Sequence, residues 1–208
     1  MSILTHDAIC REMTSPDRLD DPLVITPLLD AGQIGQSSVD VRLGHQFIVL
    51  QRAAVTHIDA TQREQLQRSL HRSQHQTRVS LHEQFIIHPG QLALGATIEY
   101  LSVPTHLAAT VEGRSSWGRL GLIIATACNV DPGFKGCITL ELVNSGEAPL
   151  VLYPGVRIAQ LVFHLTDGTA KYDKGKYDCP IGPQFSRIDH DKEIMFWGGA
   201  SCPSPPVS

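Results

Sequence analysis

Phe85-Ile86-Ile87-His88-Pro89-Gly90-Gln91-Leu92-Ala93-Leu94 and Tyr153-Pro154-Gly155-Val156-Arg157-Ile158-Ala159-Gln160-Leu161-Val162-Phe163 follow one plan, a Pro-Gly pair set against alternating apolar positions. Proline fixes the entry angle of a tight turn and glycine tolerates its exit, so each stretch reads as a hairpin-like unit. Around them lie more short runs bounded by Gly, Pro and Asn. Val39, Val41 and Leu43 alternate with Ser38, Asp40 and Arg42, the period of a half-buried strand, and Gly44 ends or bulges it. Residues 47–50 and 55–58 read as further short strands. Several short strands with turn signals between them, and no alternating helices, predict a mainly β fold of the β-barrel or jelly-roll kind with a few short helices.

Outward from these strands the pattern weakens. Residues 5–13 form a short helix, with Thr5 or Asp7 as its cap, Ile9 and Met13 four apart, and a stop at Ser15-Pro16. Residues 61–78 are a polar run of Gln, Arg, His and Ser in which only Leu66 and Leu70 keep helical spacing, so they read as an exposed insertion or loose helix. Beyond Thr166 the apolar periodicity stops. The chain therefore divides into a β domain over residues 1–166 and a tail over residues 167–208, rich in Gly, Lys, Asp and Pro, that orders only against a ligand or neighbour.

Composition excludes several functions. The chain has 208 residues, 17 Lys+Arg against 21 Asp+Glu, and a net charge of −4, without the basic surplus that non-specific binding to nucleic acid or a membrane surface needs. Apolar runs are too short to cross a bilayer and the amino terminus lacks a signal-peptide layout, so the sequence reads as cytoplasmic. Five scattered cysteines, none in CxxC spacing, argue against a disulfide framework and against structural zinc.

Two segments concentrate chemistry. Glu112-Gly113-Arg114-Ser115-Ser116-Trp117-Gly118-Arg119-Leu120-Gly121 packs two guanidiniums, two hydroxyls and three glycines into ten residues, suited to a small anion or else to a solvated strand-turn-helix junction. In Cys137-Ile138-Thr139-Leu140-Glu141-Leu142-Val143, Thr139, Glu141 and Val143 share one face of a strand and Ile138, Leu140 and Leu142 the other. Glu141 is thus either a partly buried carboxylate tuned for proton transfer or the solvated residue of an edge strand. Asp40 and Arg42 fit a buried polar network or a surface face equally well. His71, His75 and His82 read as solvated loop residues rather than metal ligands.

Ser38-Val39-Asp40-Val41-Arg42-Leu43-Gly44, His88-Pro89-Gly90, Gly113-Arg114-Ser115-Ser116-Trp117-Gly118-Arg119-Leu120-Gly121, Asp131-Pro132-Gly133-Phe134-Lys135-Gly136 leading to Leu140-Glu141, and Asn144-Ser145-Gly146 together resemble the dCTP deaminase family, of the trimeric dUTPase superfamily. The resemblance implies a dUTPase-like distorted β-barrel, a homotrimer with sites shared between subunits, and zinc-free hydrolysis of dCTP to dUTP, feeding thymidylate synthesis. Mg²⁺ would arrive on the triphosphate and dTTP is a candidate effector. It also implies roles: Glu141 as general base, Ser115 and Arg119 positioning water and pyrimidine, Arg114 and Ser116 facing the triphosphate, and Asp131 bonding the sugar hydroxyl. Trp117, Gly118, Thr126 and Ala127, and backbone groups of Thr139 and Leu140, would line the nucleotide, with Tyr172 and Lys176 of the tail on the phosphates. The glutamine of the family's tail falls on Pro180 here. A bifunctional enzyme releasing dUMP, and a regulator that binds nucleotide without turnover, remain the alternatives.

Overall fold

The computed structural model describes residues 2–51, 57–125, 129–168, 170, 177 and 179–197. In chain order come α1 (His6–Thr14), β1 (Val24–Thr26), β2 (Val39–Arg42), β3 (Gln46–Leu50), α2 (Arg63–Ser73), β4 (Gln74–Arg78), β5 (Phe85–Ile87), β6 (Leu92–Ser102), β7 (Leu107–Gly113), α3 (Ser115–Gly118), β8 (Leu122–Ile124), β9 (Asn129–Val130), β10 (Lys135–Asn144), β11 (Leu150–Leu152), β12 (Arg157–Leu165) and α4 (Lys192–Trp197). Among the described residues the strands form three antiparallel sheets. One runs β4-β3-β6-β10-β8 with β1 also on β6, one runs β2-β12-β7-β9, and β5 pairs only with β11.

The period of two fixes which face is buried. Val39, Val41 and Leu43 of the β2 stretch are sealed, as are Ile138, Leu140 and Leu142 of β10 and Ala159, Leu161 and Phe163 of β12, and they meet in one continuous core. Phe47 of β3 stacks on Phe85 of β5 at a centroid distance of 4.0 Å, tying the small sheet to the large one. Gly44 lets β2 turn against β6: its N–H donates to Ala96 O at 2.7 Å, and a Cβ there would lie 2.9 Å from the same oxygen. The stop of α1 is where the sequence puts it, with Ser15 N–H donating to Arg11 O.

The structure corrects three expectations. Neither Pro-Gly unit is a hairpin, because β5 pairs with β11 while β6 and β12 enter different sheets. Of the two readings of residues 61–78, the helix holds over Arg63–Ser73 rather than the exposed insertion: α2 buries Leu66 and Ser69, and β4, which neither reading included, pairs with β3 in register from Gln46↔Arg78 to Leu50↔Gln74. The expected strand at residues 55–58 falls partly outside the described residues, and His57 and Ile58 carry no regular structure. In the tail, residues 188–190 make a 3-10 turn before α4, and Asp189 is only 4% exposed, held by Gln67 Nε2 at 3.1 Å and Arg63 Nε at 3.3 Å from α2.

Candidate active site

β10 is an interior strand, flanked by β6 along its length and by β8 at Leu142, Val143 and Asn144. That removes the edge-strand reading of Glu141. Its side chain is half-buried, and its carbonyl accepts from Ala125 N–H at 2.9 Å as the chain leaves β8. Thr139 and Glu141 project from the face of β10 opposite the core, into a cavity of about 550 Å³, within the size range of small-molecule sites. Asp131, Phe134, Cys137 and Ile138 share its wall. Asp131 sits just past β9 with one carboxylate oxygen accepting from Asn129 Nδ2 at 2.9 Å.

The tail roofs this cavity. Tyr177, Pro180, Gln184 and Ser186 all line it. β8 stops pairing at Leu142, and the tail takes over the exposed edge of β10: Pro180 O accepts from Cys137 N–H at 2.7 Å, and Gln184 N–H donates to Thr139 Oγ1 at 3.2 Å. Gly136 makes the approach possible. Its φ is +141°, and a Cβ would lie 2.4 Å from Pro180 Cδ. Burial, and then the Glu99 carboxylate, push the Cys137 thiol up from its ordinary pKa.

The 112–121 block stands elsewhere on the same chain. After β7 ends, α3 forms one short turn in which Trp117 and Gly118 N–H both donate to Arg114 O. Trp117 packs on the core, and its indole Nε1 donates to Arg157 O at 2.9 Å. The indole therefore anchors α3. Ser115, Ser116, Gly118 and Arg119 are left exposed to solvent. The exit from α3 is fixed by a glycine contact: Gly121, at φ +97°, would place a Cβ 2.7 Å from Gly146 N, and Ser145 N–H donates to Gly121 O. Buried Asn144 holds that loop by donating to Ile87 O and Ala148 O and accepting from Gly146 N–H. The Asn144-Ser145-Gly146 stretch is thus a cradle for the end of the arginine block.

Beside Arg114 lies a network of charges that runs from buried Glu99 and Arg42 out to exposed Asp30. Glu99, fully buried on β6, accepts from Gln33 Nε2 at 2.9 Å and from Arg42 N–H at 2.8 Å. Arg42, also buried, places Nη1 3.5 Å from Glu99 without hydrogen-bond geometry and bonds Asp30 through Nη2. A buried carboxylate is tolerable only with such partners. Arg157 joins the group through Asp30 at 2.7 Å and Asp40 at 3.3 Å, and Arg114 Nε stands 3.5 Å from Asp40. Asp40 and Arg42 therefore belong to a network, not a free surface. Hydrogen bonding from Arg157, helped by Arg42 against some desolvation, holds Asp30 below the usual carboxylate range, and Asp30 in turn raises Arg157.

The structure thus brings Glu141, Thr139 and Asp131 together and keeps Arg114, Ser115, Ser116, Gly118 and Arg119 apart from them, since none of these five lines the cavity. The Leu140 side chain points into the core at the register Leu140↔Gly95, so only its backbone can face the cavity side. Thr126, Ala127, Tyr172 and Lys176 lie outside the described residues. Sequence reasoning missed Gln184, whose only local signal is the Gly182-Pro183 turn before it, and missed Asp189. Among the described residues no group of three or more His, Cys, Asp or Glu is placed to hold a metal ion, and no helix is long and apolar enough to cross a membrane.

Comparison with known proteins gives the chain's family and agrees with its fold. A family profile described as dCTP deaminase-like matches residues 3–166. The chain is 45% identical over 186 residues to a dCTP deaminase of Halorubrum lacusprofundi, covering 86% of this chain and 90% of that one. It is 43% identical over 195 residues to a dUMP-forming dCTP deaminase of Methanobrevibacter smithii, covering 90% and 98%. Among solved structures, the 2'-deoxycytidine 5'-triphosphate deaminase of Agrobacterium tumefaciens matches with a TM-score of 0.58 at 23% identity, over 79% of this chain and 48% of that one. This chain spans about half the length of that solved chain, and at such identity the likeness is one of fold.

Proposed function

Because the chain belongs to the dCTP deaminase family, we propose that it hydrolyses dCTP to dUTP and ammonia. The observation that carries the reading is Glu141, half-buried mid-strand in a cavity of about 550 Å³ that it shares with Asp131 and Thr139. Water adds to C4 of the cytosine ring as Glu141 accepts its proton. The same carboxyl gives that proton to N3, then takes the proton of the new C4 hydroxyl and passes it to the amine, so the C4–N bond breaks, ammonia leaves and a C4 carbonyl forms. One carboxyl group can act in sequence as base and acid when it touches both water and ring. Asp131 takes the sugar hydroxyl, and Mg²⁺ enters as part of the nucleotide.

The separation of Glu141 from the arginine block supports a homotrimer, in which Arg114, Ser115, Ser116 and Arg119 of one subunit complete the cavity of its neighbour. Solvent exposure of Ser115, Ser116 and Arg119 in a single chain, beside half-buried Arg114 on a loop fixed by Trp117, fits such a role. The tail closes over the triphosphate, and the enzyme works on the cytoplasmic nucleotide pool with dTTP as a candidate effector.

Incubation of the purified protein with dCTP and Mg²⁺, followed by chromatography of the products, tests the proposal. dUTP with ammonia supports it, and unchanged dCTP overturns it. dUMP with pyrophosphate would join the chain to the relatives named dUMP-forming. Light scattering on the same sample checks for three times 22.8 kDa.

A further inference from the structure

We propose that Asp40 is a positioning residue for substrate phosphate, acting through Arg114. This rests on the reading of Arg114 as a triphosphate ligand. A carboxylate can aim a guanidinium only if it is itself held still, and Asp40 is. It lies mid-strand on β2, paired to Gln160 of β12. Its carbonyl accepts from buried Gln33 Nε2 at 3.0 Å, and Oδ2 is 3.3 Å from Arg157 Nη1. Arg157 is braced in turn by Gly32 O at 3.0 Å, by Asp30 at 2.7 Å, and through its own carbonyl by the Trp117 indole. Oδ1 of Asp40 therefore presents a fixed negative point 3.5 Å from Arg114 Nε.

The Arg114 side chain is 34% exposed against 15% for Asp40, so its inner edge meets the carboxylate while its outer end reaches solvent. Anchoring a guanidinium by its Nε side leaves the terminal nitrogens directed away from the anchor, the orientation that fork-like binding of a phosphate requires. The strand carrying Asp40 and the block carrying Arg114 are far apart in sequence, but β12 lies between β2 and β7 and brings their ends side by side.

Two effects of Asp40 oppose each other, which gives the test its sign. As a charge it repels a triphosphate, so on electrostatics alone Asp40→Asn lowers KM for dCTP. As an anchor it pre-orients Arg114, so its loss raises KM. Misorientation of a positioned group commonly costs more than one screened surface charge returns, and we expect KM to rise about 5- to 20-fold with kcat within about 2-fold. Asp40→Glu keeps the charge, moves it by one methylene, and is expected to raise KM as well; it also carries the test should Asp40→Asn fail to fold.

Steady-state kinetics on Asp40→Asn, Arg114→Gln and the double variant decide the matter, with thermal melting as a check on folding. Support requires that Arg114→Gln raises KM and that adding Asp40→Asn to it changes KM no further. A fall or no change in KM for Asp40→Asn, or effects that simply add in the double variant, overturn the positioning role while leaving Arg114 a phosphate ligand. An unchanged KM in Arg114→Gln overturns the phosphate reading itself, and the inference with it.

Discussion

Gly136→Ala probes the tail at its tightest contact. The new Cβ would meet Pro180 Cδ at 2.4 Å and Pro180 N at 2.9 Å, and the second atom is backbone, which no rotamer change can move. Reaching ordinary contact requires Pro180 to retreat by about 1 Å, which stretches the 2.7 Å bond from Cys137 N–H to Pro180 O beyond use. If the tail stays docked, the variant carries about 1–3 kcal/mol of backbone strain at φ +141° plus about 1–3 kcal/mol for a buried N–H without a partner. If the tail leaves, water satisfies the N–H and only the strain remains. Undocking is therefore the cheaper response, opposed mainly by Asp189 on α2. We expect exchange of the Cys137 amide to speed by at least about 10-fold, Tm to fall by roughly 3–10 °C, and KM for dCTP to rise. In a chain truncated before residue 177 the same substitution should leave only the strain. Unchanged amide exchange together with an unchanged Tm would refute the steric reasoning.

Three further outcomes follow from the geometry. Glu141→Gln should fold and bind dCTP yet lose at least about 10²-fold in kcat, since an amide cannot carry the proton; product assays beside equilibrium dialysis check this, and turnover within a few-fold of wild type would remove Glu141 from the chemistry. At pH 8 a thiol reagent should modify exposed Cys179 well before Cys137, whose raised pKa keeps it a neutral thiol under the tail; peptide mass spectrometry reads the order, and equal rates would contradict the burial. Asp30 has a lowered folded pKa, so its stabilisation is present above the unfolded value of 3.8 and is lost as pH falls through the folded one. Asp30→Asn should therefore lower Tm at pH 7 and lose that effect in acid, and a penalty that persists there would assign Asp30 a role other than charge.

What the sequence makes legible depends on how local the cause is. Glu141 is readable because the alternation of Ile138, Leu140 and Leu142 fixes the opposite face of β10 without reference to any other strand. The short turn at Ser115–Gly118 is readable from its glycines, but the anchoring of Trp117 is not, since its acceptor is the Arg157 carbonyl on β12. The fate of residues 61–78 is hidden for the same reason. Gln74–Arg78 has no apolar periodicity because it is an outermost strand, and its pairing with β3 is made by backbone groups that every residue carries. Asp189 looks like any tail carboxylate until Arg63 and Gln67 approach it from α2.

The Pro-Gly units show how a correct local signal leads to a wrong neighbour. Each pair does turn the chain, but a turn becomes a hairpin only if the two flanking segments take each other as partners. Here both glycine N–H groups are claimed from outside: Gly90 N–H donates to Asn144 O at the end of β10, and Gly155 N–H donates to Leu43 O just past β2, each at 2.7 Å. Those bonds hold each corner against a different sheet, so the strand leaving the corner continues into that sheet, β6 beside β10 and β12 beside β2. The strands entering the corners, β5 and β11, are left with only each other, and they pair. The shared plan of the two stretches thus supplies both halves of the small sheet. It also sets the long partners β6 and β12 in separate layers, one carrying β10 with Glu141 and the other carrying β7 with the arginine block at its end. The distance between Glu141 and the arginine block is in this sense decided at Pro89 and Pro154, far from both in sequence.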